Sequence, residues 1–148
     1  METKFASHCS YKIRYHIVMC VKYRKQLLKN RGRITKLAQT IKEIGRAYWF
    51  ETDEMGTDGD HVHVFIGAAP RYSPSNIMQI IKSISAKEMF KTFPEIRQEL
   101  WGGEFWSDGG YIGTVGDQSS AEIIRKYIQE QGEREEKASS KQLKLFKI

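Results

Sequence analysis

The stretch "GDHVHVFIG", residues 59–67, decides how this chain reads. Histidines alternate with β-branched valines. A glycine–aspartate turn precedes them and an apolar run follows. Along a strand, successive side chains point to opposite faces. Val62, Val64, Ile66 and Ala68 therefore share a face suited to a core, while His61 and His63 share the other with their rings close together. Two imidazoles at that spacing suit a divalent cation, but one strand cannot complete a coordination sphere. A bare His-x-His also describes two solvated surface histidines, so the rest of the chain has to decide.

Outward from this strand the pattern is regular. "YKIRYHIVMCVKYRK" (11–25) alternates and is rich in β-branched and aromatic residues, which predicts a long strand. "GRITKLAQTIKEIGRAYWF" places Ile34, Leu37, Ala38, Ile41 and Ile44 at helical intervals, predicting a helix from near Arg33 to Gly45 or Arg46. "YWFETDEM" (48–55) predicts a strand that pairs through the turn 56–60 with a strand over 61–68. Residues 73–93 predict a second helix, capped by Ser73 or Ser75, with Pro74 in its first turn and Pro94 at its end. A glycine-interrupted strand over 104–116 and a third helix over 117–132 follow. Residues 133–148 read as a polar tail, at most a frayed helix. The order β-α-β-β-α-β predicts an α+β, ferredoxin-like (RRM-like) antiparallel sheet in one domain, 1–148, with two helices on one face and a further C-terminal helix. The other face is left for chemistry or a partner.

Composition narrows the class. The 148 residues carry a net charge of +6, unevenly spread. Residues 1–50 hold twelve Lys/Arg against two acids, and the remainder twelve against sixteen. A basic half favours a polyanion, nucleic acid first, over a merely solvated surface. No apolar run has membrane length, Met1–Ser10 lacks a signal-peptide core, and Cys9 and Cys20 make a poor disulfide framework. A cytoplasmic protein with reduced thiols and no membrane partner is expected.

Other histidine-bearing sites fit poorly. A histidine triad wants a third histidine where Phe65 stands. A two-histidine phosphoesterase wants a second His-x-Thr/Ser, and a cupin wants more histidines and an all-β chain. His8 and His16 do not extend the motif and read as structural or surface residues. The helix "AEIIRKYIQEQG" places Tyr127 and Gln131 four apart on one face. Alone, these read as a core tyrosine and a surface amide. Beside a histidine pair, a phenolate that attacks a phosphodiester and an amide oxygen that serves as a third metal ligand become the sharper reading.

His61-Val62-His63 with Tyr127 and Gln131 resembles the HUH-type single-tyrosine transposases of the insertion-sequence 200/605 family, transposase A type. "HIVMCVKYRK" (16–25), "IKSISAKEMFKTFP" (81–94) and "LWGGEFWSDGGYIGTVG" (100–116) are similar to that family too, in order, over about residues 11–132. The resemblance implies an enzyme that cuts and rejoins single-stranded DNA bearing imperfect hairpins. It casts Tyr127 as the nucleophile that forms a 5′-phosphotyrosine, His61, His63 and Gln131 as ligands of Mg²⁺ or Mn²⁺, and the chain as a homodimer with two sites, which in many members are shared between subunits and in others lie within one. Gly113 and Gly116 become hinge candidates before the tyrosine helix. Lys22, Tyr23, Arg24, Lys25, Lys29, Arg31 and Arg33 are the candidates for DNA contact. Trp101, Phe105, Trp106 and Tyr111 are expected to pack around the last strand. Two rivals share much of this pattern: a domesticated, palindrome-associated HUH nuclease, and an RRM-like module that holds nucleic acid without cutting it.

Overall fold

In a computed structural model, residues 3–6, 9–116, 122 and 144–147 are described. A small hairpin, β1 (Lys4–Ala6) with β2 (Cys9–Tyr11), precedes the main sheet. The sheet is built from β3 (Arg14–Cys20), β4 (Glu51–Thr57), β5 (His61–Gly67), β6 (Tyr111–Val115) and β7 (Lys144–Lys147). Their spatial order is β6-β3-β5-β4-β7, with every pairing antiparallel. The first four strands are the ferredoxin-like arrangement expected from the element order, and β5 lies at the centre.

Two helices cover one face. In α1 (Arg31–Tyr48) the Asn30 side chain accepts from the backbone N–H groups of Gly32 and Arg33, satisfying two donors that the first turn cannot pair. In α2 (Pro74–Thr92) Ser73 does the same for Asn76 at 3.1 Å, and Pro74 occupies the first turn, where its missing N–H costs nothing. The core between helices and sheet takes Ile34, Leu37, Ile41 and Ile44 from α1, Ile77, Ile81 and Met89 from α2, and Ile17, Met19, Val62, Val64 and Ile66 from the central strands. Gly45 lets α1 approach β4 closely: a Cβ there would lie 2.9 Å from the Phe50 carbonyl oxygen and 3.0 Å from Thr52. A short helix, α3 (Ile96–Glu99), follows α2.

Several boundaries differ from expectation. The strand expected over 11–25 is divided: Cys9–Tyr11 belongs to the first hairpin, and Lys22–Arg24 forms a 3₁₀ turn with Tyr23 in the left-handed region. The turn expected at 56–60 is shorter, because β4 continues to Thr57. Of the strand expected over 104–116, only Tyr111–Val115 joins the ladder. Before it, Phe105 and Trp106 turn inward, and Trp106 Nε1 donates to Ser85 Oγ of α2 at 2.9 Å. The polar tail holds a strand instead of a frayed helix at 144–147, paired to β4. Of the helix expected over 117–132, Glu122 is helical, and the remaining positions, Tyr127 and Gln131 among them, lie outside the described residues.

Candidate metal and nucleic-acid site

The register of β5 places His61 and His63 on the sheet face opposite the helices, as alternation predicts; the core-facing partners are Val62, Val64 and Ile66. That face is not bare here. His61 is 4% and His63 1% exposed. An aromatic layer lies over the sheet: His16 stacks on Phe65 with centroids 4.5 Å apart, and Tyr111 meets His16 edge-on at 5.6 Å.

His16 is the residue that sequence reasoning missed. Its sequence context suggests a structural or surface residue, yet on β3 it lies diagonal to His63 of β5, with its Nε2 2.9 Å from His63 Nδ1. The signal was present in the parity of β3. Once β3 is paired antiparallel with β5, His16, Val18 and Cys20 share the face of His63 and His61.

The loop ahead of β5 supplies the other neighbour. Asp60 Oδ1 accepts from His61 Nδ1 at 2.7 Å, and Asp60 Oδ2 accepts from Arg24 Nε at 2.9 Å. The backbone holds this arrangement in place: Val21 N donates to the Asp60 carbonyl at 2.8 Å and Leu28 N to that of Gly59 at 2.7 Å, so residues 21–28 wrap the start of β5. Burial pushes the Asp60 carboxyl up, but the hydrogen bonds from His61 and Arg24 outweigh it and hold the group below the usual carboxylate range. Burial lowers His16 to about 4. Burial first, and then the neighbouring histidines, lower His63 to about 3. Both are neutral imidazoles at neutral pH.

This arrangement determines which nitrogen each ring of the pair presents. With Nδ1 of His61 donating to a carboxylate, its lone pair sits on Nε2, a buried atom with no hydrogen-bond partner among the described residues. His63 carries its lone pair on Nε2 when its Nδ1 donates to His16. A carboxylate or other acceptor behind a histidine is the usual support of a metal ligand. The donor set fits a divalent cation. It is incomplete, since no group of three or more His, Cys, Asp and Glu that could hold a metal occurs among the described residues.

The basic candidates divide into two kinds. Arg33 is committed to α3, with Glu99 at 3.3 Å and Glu95 at 3.6 Å, and Arg24 is committed to Asp60. Lys22 pairs with Glu104 at 3.3 Å, and that hydrogen bond raises its ammonium above the ordinary value. Tyr23 and Arg31 are exposed, and Lys25 Nζ lies 4.9 Å from the centroid of Trp101. Trp101 does not pack around the last strand as expected, being 72% exposed; Tyr111 is half-exposed, and Phe105 and Trp106 are buried. Gly113 is a ladder residue of β6 paired with His16, and Gly116 lies just past the end of β6.

The ferredoxin-like sheet thus carries a supported histidine pair on the face opposite α1 and α2. The model of the family described as "Transposase IS200 like" matches residues 9–131, and the chain belongs to that family. Family membership makes it a transposase, an enzyme class that cleaves DNA. It is 32% identical over 136 residues to the ISDra2 transposase TnpA of Deinococcus radiodurans, covering 91% of this chain and 95% of that one. It is 26% identical over 132 residues to the transposase for insertion sequence element IS200 of Salmonella typhimurium, covering 88% and 84%. Among solved structures, a Deinococcus radiodurans R1 protein described as a transposase superposes with a TM-score of 0.69 at 29% identity, covering 86% of this chain and 97% of that one. A REP-associated tyrosine transposase bound to a REP hairpin shares the fold, at a TM-score of 0.55 and 14% identity, covering 88% and 74%. Among the described residues no helix is long and apolar enough to cross a membrane.

Proposed function

We propose that this transposase cleaves and rejoins single-stranded DNA at hairpin-bearing ends, through a covalent phosphotyrosine on Tyr127. The observation that supports it best is the locking of His61 Nδ1 by Asp60, which leaves a buried Nε2 to act as a metal donor. His61 and His63 would hold Mg²⁺ or Mn²⁺, with the Gln131 amide oxygen as a third ligand. When bound, the cation supplies Lewis-acid polarisation of the scissile phosphate. Asp60 and His16 keep the two imidazoles in one tautomer and one orientation. Burial keeps His63 neutral at physiological pH, so its lone pair stays available.

The Tyr127 oxygen attacks phosphorus, and its proton leaves to a base. A phosphorus–oxygen bond to tyrosine forms, the bond to the 3′ oxygen breaks, and that oxygen leaves as a 3′-hydroxyl. The bond energy is retained in the phosphotyrosine, so a 3′-hydroxyl can reverse the step and join strands without a nucleotide cofactor. A homodimer that presents two such sites suits the exchange of two ends. Hairpin recognition is what the resemblance implies, and a REP-associated tyrosine transposase of the same fold bound to a REP hairpin supports it.

The test is a labelled single-stranded element end incubated with Mg²⁺ or Mn²⁺ and run under denaturing conditions. A protein–DNA adduct is expected, lost in Tyr127→Phe while hairpin binding stays within about two-fold, since only the nucleophilic oxygen is removed. An undiminished adduct in Tyr127→Phe would refute the assignment.

A further inference from the structure

We propose that Tyr23 and Trp101 form a stacking platform for an unpaired base of single-stranded DNA, tied through Arg24 to the histidine site. The proposal rests on the single-strand reading above and adds to it a ligand class and two residues from distant parts of the chain.

Tyr23 is 58% and Trp101 72% exposed, although both are large aromatics. Exposed aromatics scattered singly are ordinary, but these two are in contact, with centroids 5.2 Å apart and planes at 72°. Each has a cation beside it: Lys25 Nζ is 4.9 Å from the Trp101 centroid and Lys22 Nζ 5.8 Å from that of Tyr23. The backbone is bent to present them. Tyr23, Arg24 and Trp101 have φ of 59°, 54° and 53°, a region that non-glycine residues rarely occupy. The turns are closed by hydrogen bonds from Arg24 N to the Val21 carbonyl at 2.9 Å and from Trp101 N to that of Gln98 at 3.3 Å. Strained positions held by their surroundings point to a use for what they display.

The chemistry favours one occupant. An apolar protein partner would have to desolvate two ammonium groups. Single-stranded nucleic acid offers flat π-faces to the rings and a phosphate to Lys25, while Lys22 stays paired with Glu104, the combination of stacking and charge that sequence-tolerant strand-binding grooves use. The location fits as well. Arg24 follows Tyr23 directly and bonds Asp60, which bonds His61. A base held on this platform is thus held beside the chain segment that supports the metal donors.

The experiment uses the full-length protein carrying Trp49→Phe, which removes the other exposed tryptophan and leaves buried Trp106 as a constant background. Titration with a short oligothymidylate should quench Trp101 emission saturably. Trp101→Ala and Tyr23→Ala should each weaken binding roughly ten-fold at unchanged salt dependence, and Trp101→Phe, which keeps a π-face, should bind nearly as its parent does. Lys25→Ala should instead make the slope of log K against log salt shallower by about 0.7. Thermal melting confirms that each variant is folded. Unchanged Trp101 emission at saturation, or Trp101→Ala binding as tightly as its parent, would overturn the proposal. So would an equal loss of affinity for a fully paired hairpin, or loss of a dimer in Trp101→Ala, which would assign the surface to protein contact. An intact quench without a phosphotyrosine adduct would sink the enzymatic reading alone, and an adduct without a quench would sink the platform alone.

Discussion

Acidification from pH 7 to pH 5, in metal-free protein held with a chelator, should destabilise the fold through two buried rings. In the unfolded chain His16 and His63 titrate at their ordinary value of 6.5. In the folded protein burial keeps His16 neutral down to about 4 and His63 down to about 3. Between those values the unfolded state binds more protons, so folding is favoured above pH 6.5 and that advantage drains away as pH falls. With about 1.4 kcal/mol per pH unit per ring, each contributes about 2 kcal/mol of loss between pH 7 and 5. Together that is about 4 kcal/mol, or about 8–16 °C in Tm for a chain of this size. Asp60 and Glu51 have carboxyls held below their ordinary range, so their contribution is lost only at lower pH. Calorimetry or chemical denaturation at half-unit steps measures the slope. His16→Gln, which keeps an acceptor for His63 Nδ1, should halve it. Stability flat between pH 7 and 5, or an unchanged slope in His16→Gln, would refute the placement of two neutral rings in this layer.

Two further outcomes follow from contacts elsewhere. Asp60→Ala should weaken Mn²⁺ binding by about 10- to 100-fold, followed by the electron paramagnetic resonance of free Mn²⁺, because His61 loses the acceptor that orients it; affinity equal to that of the native protein would remove Asp60 from this role. Gly45→Ala should destabilise by about 1 kcal/mol in urea titration, since the clash of a Cβ with the Phe50 carbonyl and Thr52 (about 1–3 kcal/mol) exceeds the gain in helix propensity of about 1 kcal/mol, and a stabilised variant would show that β4 can yield.

Local signals carried most of the fold. The period-2 run at 61–67, the two amphipathic helices and the Ser73 start of the second were legible because each rests on residues close in sequence, whereas the first helix begins at Arg31 behind an Asn30 cap, ahead of the start expected near Arg33. The division of the first strand was not, since the 3₁₀ turn at Lys22–Arg24 is imposed by tertiary hydrogen bonds: Val21 N to Asp60 and Lys22 N to Phe105. The same holds for Trp101. Its composition suggests packing around a strand, yet a left-handed residue at the end of α3 turns it outward. Within the site, the histidine pair was visible from alternation alone. His16 required knowing which strand lies beside β5 and in what register, and pairing of that kind joins positions 47 residues apart.

The two histidines of the pair are supported unequally, and the inequality has a direction. His61 leans on a carboxylate that stays ionised because Arg24 and His61 both bond it. A carboxylate behind a histidine is the usual support of a metal ligand, so under the proposed function His61 is the ring with the charged support. His63 leans on His16, a neutral acceptor that burial prevents from charging at working pH. This support orients without adding charge, and it avoids placing a second anion or a cation in a buried layer where either would be costly. The stronger support is also the one exposed to influence from outside: Arg24 is largely exposed, lies in the turn that carries Tyr23, and reaches Asp60 from there. A strand that draws the Arg24 guanidinium toward a phosphate would leave Asp60 bonded to His61 alone, concentrating its negative charge on that ring. Under the proposed function, substrate contact and donor strength would be coupled through this one arginine, with His63 held by His16 in the aromatic layer.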